Sequence, residues 1–122
     1  MIVLDEQLNE PPIKRDVERW YKGTVITIND LRPSTIVKDD VVDTLLRRAK
    51  QPTFVTTNYV DFWKVIPASP AYCAVCIKLP IERKYEVPAT LRELLNLPEF
   101  ATKRLRMGVV ISVTTRTIEV YR

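Results

Sequence analysis

Three short apolar segments of this chain each run out into carboxylates or amides. Ile2-Val3-Leu4 ends in Asp5-Glu6, Thr24-Val25-Ile26-Thr27-Ile28 ends in Asn29-Asp30, and Thr53-Phe54-Val55-Thr56 leads to Asn58 and then Asp61. A further acidic pair, Asp39-Asp40, opens the helical stretch between the second and third segments. If the three segments are parallel strands, their ends share one edge of a sheet, where open α/β sheets place their binding sites. Carboxylates gathered there repel one another, and some must keep a proton unless a cation sits among them. Oxygen donors of this kind suit Mg²⁺ or Mn²⁺, which keep several waters and use only a few carboxylates. One or two such ions could activate water against a phosphodiester and stabilise the leaving oxygen.

The same residues also have plainer uses. Asp39 and Asp40 suit the positive end of a helix, as caps or as partners of its dipole. Asp30 suits a turn at a strand exit. Asp5 is harder to account for in this way, because a carboxylate placed directly after a buried apolar strand needs a partner.

Other chemistries are poorly supplied. The chain has no histidine, which excludes imidazole acid/base catalysis, Ser-His-Asp triads and histidine-ligated zinc. Gly23 and Gly108 are its two glycines, too few for a phosphate-cradling loop. Ser34 and Ser69 have no base beside them in sequence. Cys73 and Cys76 form a C-x-x-C within the apolar run Tyr72-Cys73-Ala74-Val75-Cys76-Ile77, where residues three apart on a strand point to opposite faces. They read as small buried hydrophobes, not as a redox or zinc pair.

The elements that must position the acidic residues follow from the apolar pattern. Ile13, Val17, Trp20 and Tyr21 lie on one face of a helix started by Pro11 and Pro12, capped by Asn9 or Glu10 and closed by Gly23. Asp30 to Lys38 reads as a loop, followed by a helix with Val41, Val42, Leu45, Leu46 and Ala49 on its stripe. The order β-α-β-α-β with short links predicts parallel strands joined by right-handed crossovers. Tyr72 to Leu79 reads as a fourth strand, Pro88 opens a helix carrying Leu91, Leu94 and Leu95, and Pro98 starts a further turn. Met107 to Thr114 and Thr117 to Tyr121 suit a closing hairpin, although no Gly or Asn marks its turn.

Length and composition bound the rest. With 122 residues, 46% hydrophobic and 28% charged, the chain suits a single domain over 1–122 with an ordinary core. No apolar run approaches the ~18 residues of a membrane span, and no basic-then-apolar leader opens the chain, so a cytoplasmic protein is expected. The net charge of +4 mildly favours a polyanion partner. Its basic groups, Lys14/Arg15/Arg19/Lys22, Arg47/Arg48/Lys50 and Lys103/Arg104/Arg106, read first as the polar faces of helices. Trp20, Phe62 and Trp63 read as core or interface aromatics.

Leu4-Asp5-Glu6-Gln7-Leu8 resembles the L-D-E-N-L opening of small PIN-like proteins of bacteria and archaea. Val25-Ile26 leading to Asp30-Leu31, Asp39-Asp40-Val41-Val42, and Val55-Thr56-Thr57-Asn58 with Asp61-Phe62 are similar to that family's later blocks. Gly108 to Arg122 is similar to its closing hairpin. The resemblance implies a three-layer α/β/α fold, with a mostly parallel sheet of about four central strands and a C-terminal hairpin. It further implies a Mg²⁺- or Mn²⁺-dependent ribonuclease acting on single-stranded RNA, including the toxin halves of toxin–antitoxin pairs. Asp5, Asp40 and Asp61 would then be the catalytic metal-site acids, with Glu6, Asp30 and Asn58 as further metal ligands. An antitoxin protein, or a second copy paired through the hairpin, would be the partner. Asn58 stands where the family usually has an aspartate, and Tyr59 and Val60 separate it from Asp61 where one residue is usual. The alternative on the same fold is a catalytically inactive module that binds a protein.

Overall fold

The computed structural model describes residues 1–33 and 37–122. Six strands form one sheet: β1 (Ile2–Leu4), β2 (Val25–Thr27), β3 (Thr53–Thr56), β4 (Cys73–Ile77), β5 (Val110–Val113) and β6 (Ile118–Tyr121). Their spatial order is β2-β1-β3-β4-β5-β6, parallel throughout except for the antiparallel β5–β6 pair. The chain is therefore α/β with a mostly parallel sheet between helices and a C-terminal hairpin, as the sequence pattern predicts. The parallel strands number five, not four. Val110–Val113 serves twice, beside β4 on one edge and as the first arm of the hairpin on the other.

The short, uninterrupted apolar strands are buried because helices cover both faces. On one face, Ile2, Leu4, Val55, Cys73, Val75 and Ile111 pack under α1 (Pro11–Trp20) and α5 (Val87–Leu95), through Ile13, Val17, Leu91 and Leu94. On the other face, Val3, Phe54, Ala74, Cys76 and Val110 pack against three helices. These are α2 (Ile28–Leu31), α3 (Asp39–Arg48) and the single turn α4 (Tyr59–Phe62), which contribute Ile28, Val42, Leu45, Leu46 and Phe62. Cys73 and Cys76 thus fall on opposite faces, both buried and unpaired, as strand alternation requires.

The β4-to-β5 connection passes over the α1 face. The β2-to-β3 and β3-to-β4 connections move the same way across the sheet but pass over the opposite face. The last crossover consequently has the opposite hand to those two, against the strong general preference for one hand. With α5 diverted, it is the aromatics Tyr59, Trp63 and Tyr121 that lie over β5 and β6 on the α3 side.

Several local details differ from the sequence reading for definite reasons. Ile28, expected at the end of the second strand, starts α2, because Asp30 accepts a hydrogen bond from the Thr27 N–H at 2.9 Å and turns the chain. The hairpin turn needs no Gly or Asn: Thr114 Oγ1 accepts from the N–H of Thr117 at 3.0 Å and of Arg116 at 3.3 Å. Arg106, expected on a polar face, belongs to the single turn α6 (Lys103–Arg106) and is buried. It donates to Phe100 O at 2.8 Å and Thr53 Oγ1 at 3.2 Å.

Candidate functional site

The strand order reverses between β1 and β3, since the chain goes from β1 to β2 on one side and resumes at β3 on the other. In open α/β sheets, the crevice at the carboxyl ends of the two strands flanking such a reversal is where ligands bind. Asp5 follows β1 there, and Thr57-Asn58 follow β3.

Asp5 is 3% exposed. Its Oδ1 accepts the Glu6 N–H at 2.8 Å and its Oδ2 accepts the Thr56 hydroxyl at 2.6 Å. Burial pushes the carboxyl above the usual aspartate range, against the hydrogen bonds from Thr56, the Glu6 N–H and Gln7, which favour the charged form. The partner that a carboxylate at the end of a buried strand requires is therefore a set of neutral donors, with desolvation still uppermost.

Asn58 joins the remaining acids. Its Nδ2 donates to Asp61 Oδ2 at 2.9 Å and to Asp39 Oδ2 at 3.2 Å. Asp39 occupies an exposed helix position, yet its carboxyl is partly withdrawn from water and stands against other carboxylates. Desolvation, a hydrogen bond with Asp61 and the charges of Asp5 and Asp61 raise its pKa, while Asn58 lowers it. Asp39 also makes no cap bond, the N-cap of α3 being Lys38. The member of the Asp39-Asp40 pair that joins Asp61 is thus Asp39, where the family resemblance had pointed to Asp40. Asp40 lies on the wall of the neighbouring cleft of about 410 Å³, which Asp39, Asp43 and Asp61 also line above Phe62 and Ile66.

Two other expected ligands are occupied with folding. Glu6 Oε1 accepts from Asn29 Nδ2 at 2.9 Å and from the Val37 N–H at 3.0 Å, tying the exit of β2 to the approach to α3. Asp30 is the third residue of α2 and closes the capping box with the N-cap Thr27. Among the described residues, no group of three or more Asp, Glu or Cys side chains has a geometry that could hold a metal ion. Ser34 lies outside the described residues, and Ser69 is buried with its Oγ accepting the Ala71 N–H.

Beyond Asn58 the crevice widens into a cleft of about 910 Å³, whose lining includes Tyr59, Trp63, Lys78, Arg83 and Arg116. Sequence reasoning missed this part, because its cations come from two separate connections, Lys78 and Arg83 from the one after β4 and Arg116 from the hairpin turn, and none belongs to the three basic groups of the chain. Trp63, expected as a core or interface aromatic, is partly buried against the α3-side core, packs on Tyr121 at 5.1 Å between ring centroids and borders the cleft.

Comparison with known proteins finds no match among family models, curated proteins or solved structures. Among the described residues no helix is long and apolar enough to cross a membrane.

Proposed function

We propose that this chain is a divalent-metal-dependent ribonuclease whose working acids are Asp39, Asp61 and Asp5. The observation that carries the reading is the Asp39–Asp61 pair, linked through Asn58 and set beside buried Asp5 in the crevice at the strand reversal. Two carboxylates held this close need a proton or a cation. Mg²⁺ and Mn²⁺ accept sites of one or two carboxylates completed by water and substrate phosphate, so a three-acid cage is not required. When bound, such an ion supplies an activated water and stabilises the leaving oxygen. Asp39 and Asp61 would hold it, and rotation of the Asn58 amide would present its oxygen as a further ligand. Asp5 would add negative charge from behind while Thr56 holds its carboxyl in place.

Net positive charge and the cation-bearing cleft beside the acids support RNA as the substrate. The resemblance of the sequence blocks to small PIN-like proteins supports the same chemistry. It adds the toxin half of a toxin–antitoxin pair as a setting, with an antitoxin as protein partner. A cytoplasmic location suits the two unpaired cysteines.

A second reading, an inactive module that binds a protein, is favoured by Asn58 itself. Its NH₂ group already bridges the two carboxylates and does part of the work of a cation. Calorimetric titration with Mn²⁺ separates the two. The ribonuclease reading expects binding by the wild type that is abolished in Asp39→Asn/Asp61→Asn, together with Mn²⁺-dependent cleavage of RNA. No heat from a folded wild type would leave the binding module standing.

A further inference from the structure

The cleft that widens beyond Asn58 combines an aromatic wall with cations. Its wall is aromatic: Tyr59 and Trp63 stand with ring centroids 6.1 Å apart and ring planes inclined by 31°. Cations flank that wall. Lys78 Nζ lies 5.4 Å from the centre of the Tyr59 ring, and Lys64 Nζ lies 6.0 Å from that of Trp63. Arg116 reaches the cleft from the hairpin turn. Arg83 is neutralised by Glu86 at 2.6 and 2.7 Å, but Lys78 and Arg116 have no carboxylate partner among the described residues. The tyrosine is also fixed, its hydroxyl lying 2.8 Å from Ser112 Oγ on β5.

A ligand that matches this wall must carry repeated negative charge and flat apolar faces along one flexible chain. An unpaired polynucleotide does both, since phosphates pair with Lys and Arg while bases lie on aromatic rings. A duplex hides its base faces within the stack and could use only the cations. An acidic peptide would satisfy Lys78 and Arg116 but offers nothing regular to the rings. The cleft also shares Asn58 with the Asp39–Asp61 pair, so a strand lying on the cations reaches the acids at one end.

We propose that this cleft, built on Tyr59, Trp63, Lys78 and Arg116, is a metal-independent subsite for an unpaired polynucleotide strand. The proposal rests on the ribonuclease reading only for the use of the strand, which it seats beside the acidic residues. Binding itself needs no ion.

The test is fluorescence anisotropy of a labelled, unstructured pyrimidine oligoribonucleotide, titrated in EDTA at several salt concentrations. The wild type binds, and the logarithm of its affinity falls linearly with that of salt. Lys78→Ala/Arg116→Ala, at two exposed positions, weakens binding roughly tenfold and flattens the salt slope by about 0.7 per cation removed. Trp63→Leu weakens binding without changing the slope, provided a thermal melt shows it folded. Should it unfold, the Lys78/Arg116 variant carries the test alone. Equal affinity of wild type and the Lys78/Arg116 variant overturns the proposal, as does preference for a duplex or for a polyglutamate peptide. Strand binding without any Mn²⁺-dependent cleavage sinks the ribonuclease reading and leaves the subsite intact. Cleavage that persists while binding ignores Lys78 and Arg116 does the reverse.

Discussion

Thr56 donates a 2.6 Å hydrogen bond to Asp5 across the boundary between β3 and β1, the point at which the strand order reverses. The same Thr56 oxygen accepts the N–H of Asn58 at 2.9 Å. One hydroxyl therefore connects the buried acid to the loop that carries the amide between Asp39 and Asp61. Backbone pairing brings the strand ends together, and Thr56 sets the relation between the two acidic positions.

Thr56→Val keeps the shape and removes this link. A buried carboxylate loses its shortest donor and the Asn58 N–H loses its acceptor, at a cost of about 2–3 kcal/mol at neutral pH. The pH dependence has a definite sign. Burial holds the folded-state pKa of Asp5 above the ordinary 3.8, so the folded state binds the extra proton. Stability attributable to Asp5 is thus highest where the group is protonated in both states, and falls as pH rises from 3.8 through the raised value. Thr56→Val deepens that fall, and its cost is smaller near pH 3.8 than at neutrality, while Asp5→Asn abolishes the dependence. Urea denaturation of the three proteins across this range checks it; a cost for Thr56→Val that is independent of pH counts against an ionised Asp5.

Asp39 and Asp40 are adjacent, and the structure separates them. All three of Asp39, Asp40 and Asp61 line the adjoining cleft, but it is Asp39 that shares the Asn58 amide with Asp61. Asp39→Asn is expected to lower Mn²⁺ affinity at least roughly tenfold, and Asp40→Asn to change it by less than about twofold. Calorimetry on the two single variants decides which aspartate matters, and the reverse ranking would restore Asp40 to the site.

Asp30 serves the fold. Its carboxylate accepts from the Thr27 N–H at 2.9 Å and stands 3.3 Å from the Thr27 hydroxyl, holding the turn that ends β2. Asp30→Ala should cost about 1 kcal/mol of stability, the usual value of a helix cap. It should leave Mn²⁺ affinity and any cleavage rate per folded molecule unchanged. A selective loss of metal binding at unaltered stability would show Asp30 to be a ligand.

Much of this architecture is legible from the residues. Thr53-Phe54-Val55-Thr56 matches β3 residue for residue, because an uninterrupted β-branched and aromatic run fits a strand buried on both faces. That the residues after β1 and β3, Asp5 and Thr57-Asn58, share one edge of the sheet follows from parallel strands alone. The choice between Asp39 and Asp40 does not, because neighbouring helical residues point about 100° apart and a shift of one residue in the helix start exchanges them. The cation-and-aromatic cleft was equally hidden. Lys78 and Arg83 follow β4 whereas Arg116 sits in the hairpin turn more than thirty residues later, and no local period announces that they meet. The opposite hand of the last crossover is also invisible locally, since an apolar stripe on α5 packs equally well on either face.

The cysteines give a prediction of a different kind, about chemistry that should not occur. In a C-x-x-C at a helix start both sulfurs share one side and one thiol is acidified. Here the pair lies within β4, and alternation sends Cys73 under α1 and α5 and Cys76 toward α3 and α4. Burial pushes each thiol up to about 12, with the Asp5 charge adding to the effect at Cys76 and the Arg106 charge partly opposing it at Cys73. Neither sulfur can become a thiolate near neutrality or reach the other without unravelling the strand. The native protein is therefore expected to resist a thiol-specific reagent such as a disulfide dye at mildly alkaline pH, and to release two equivalents of colour only when urea opens the sheet. Oxidants should likewise leave the native protein without an internal disulfide. Rapid labelling of either cysteine in the folded protein would mean that β4 is accessible to solvent, and with it the central strand that separates the two cores.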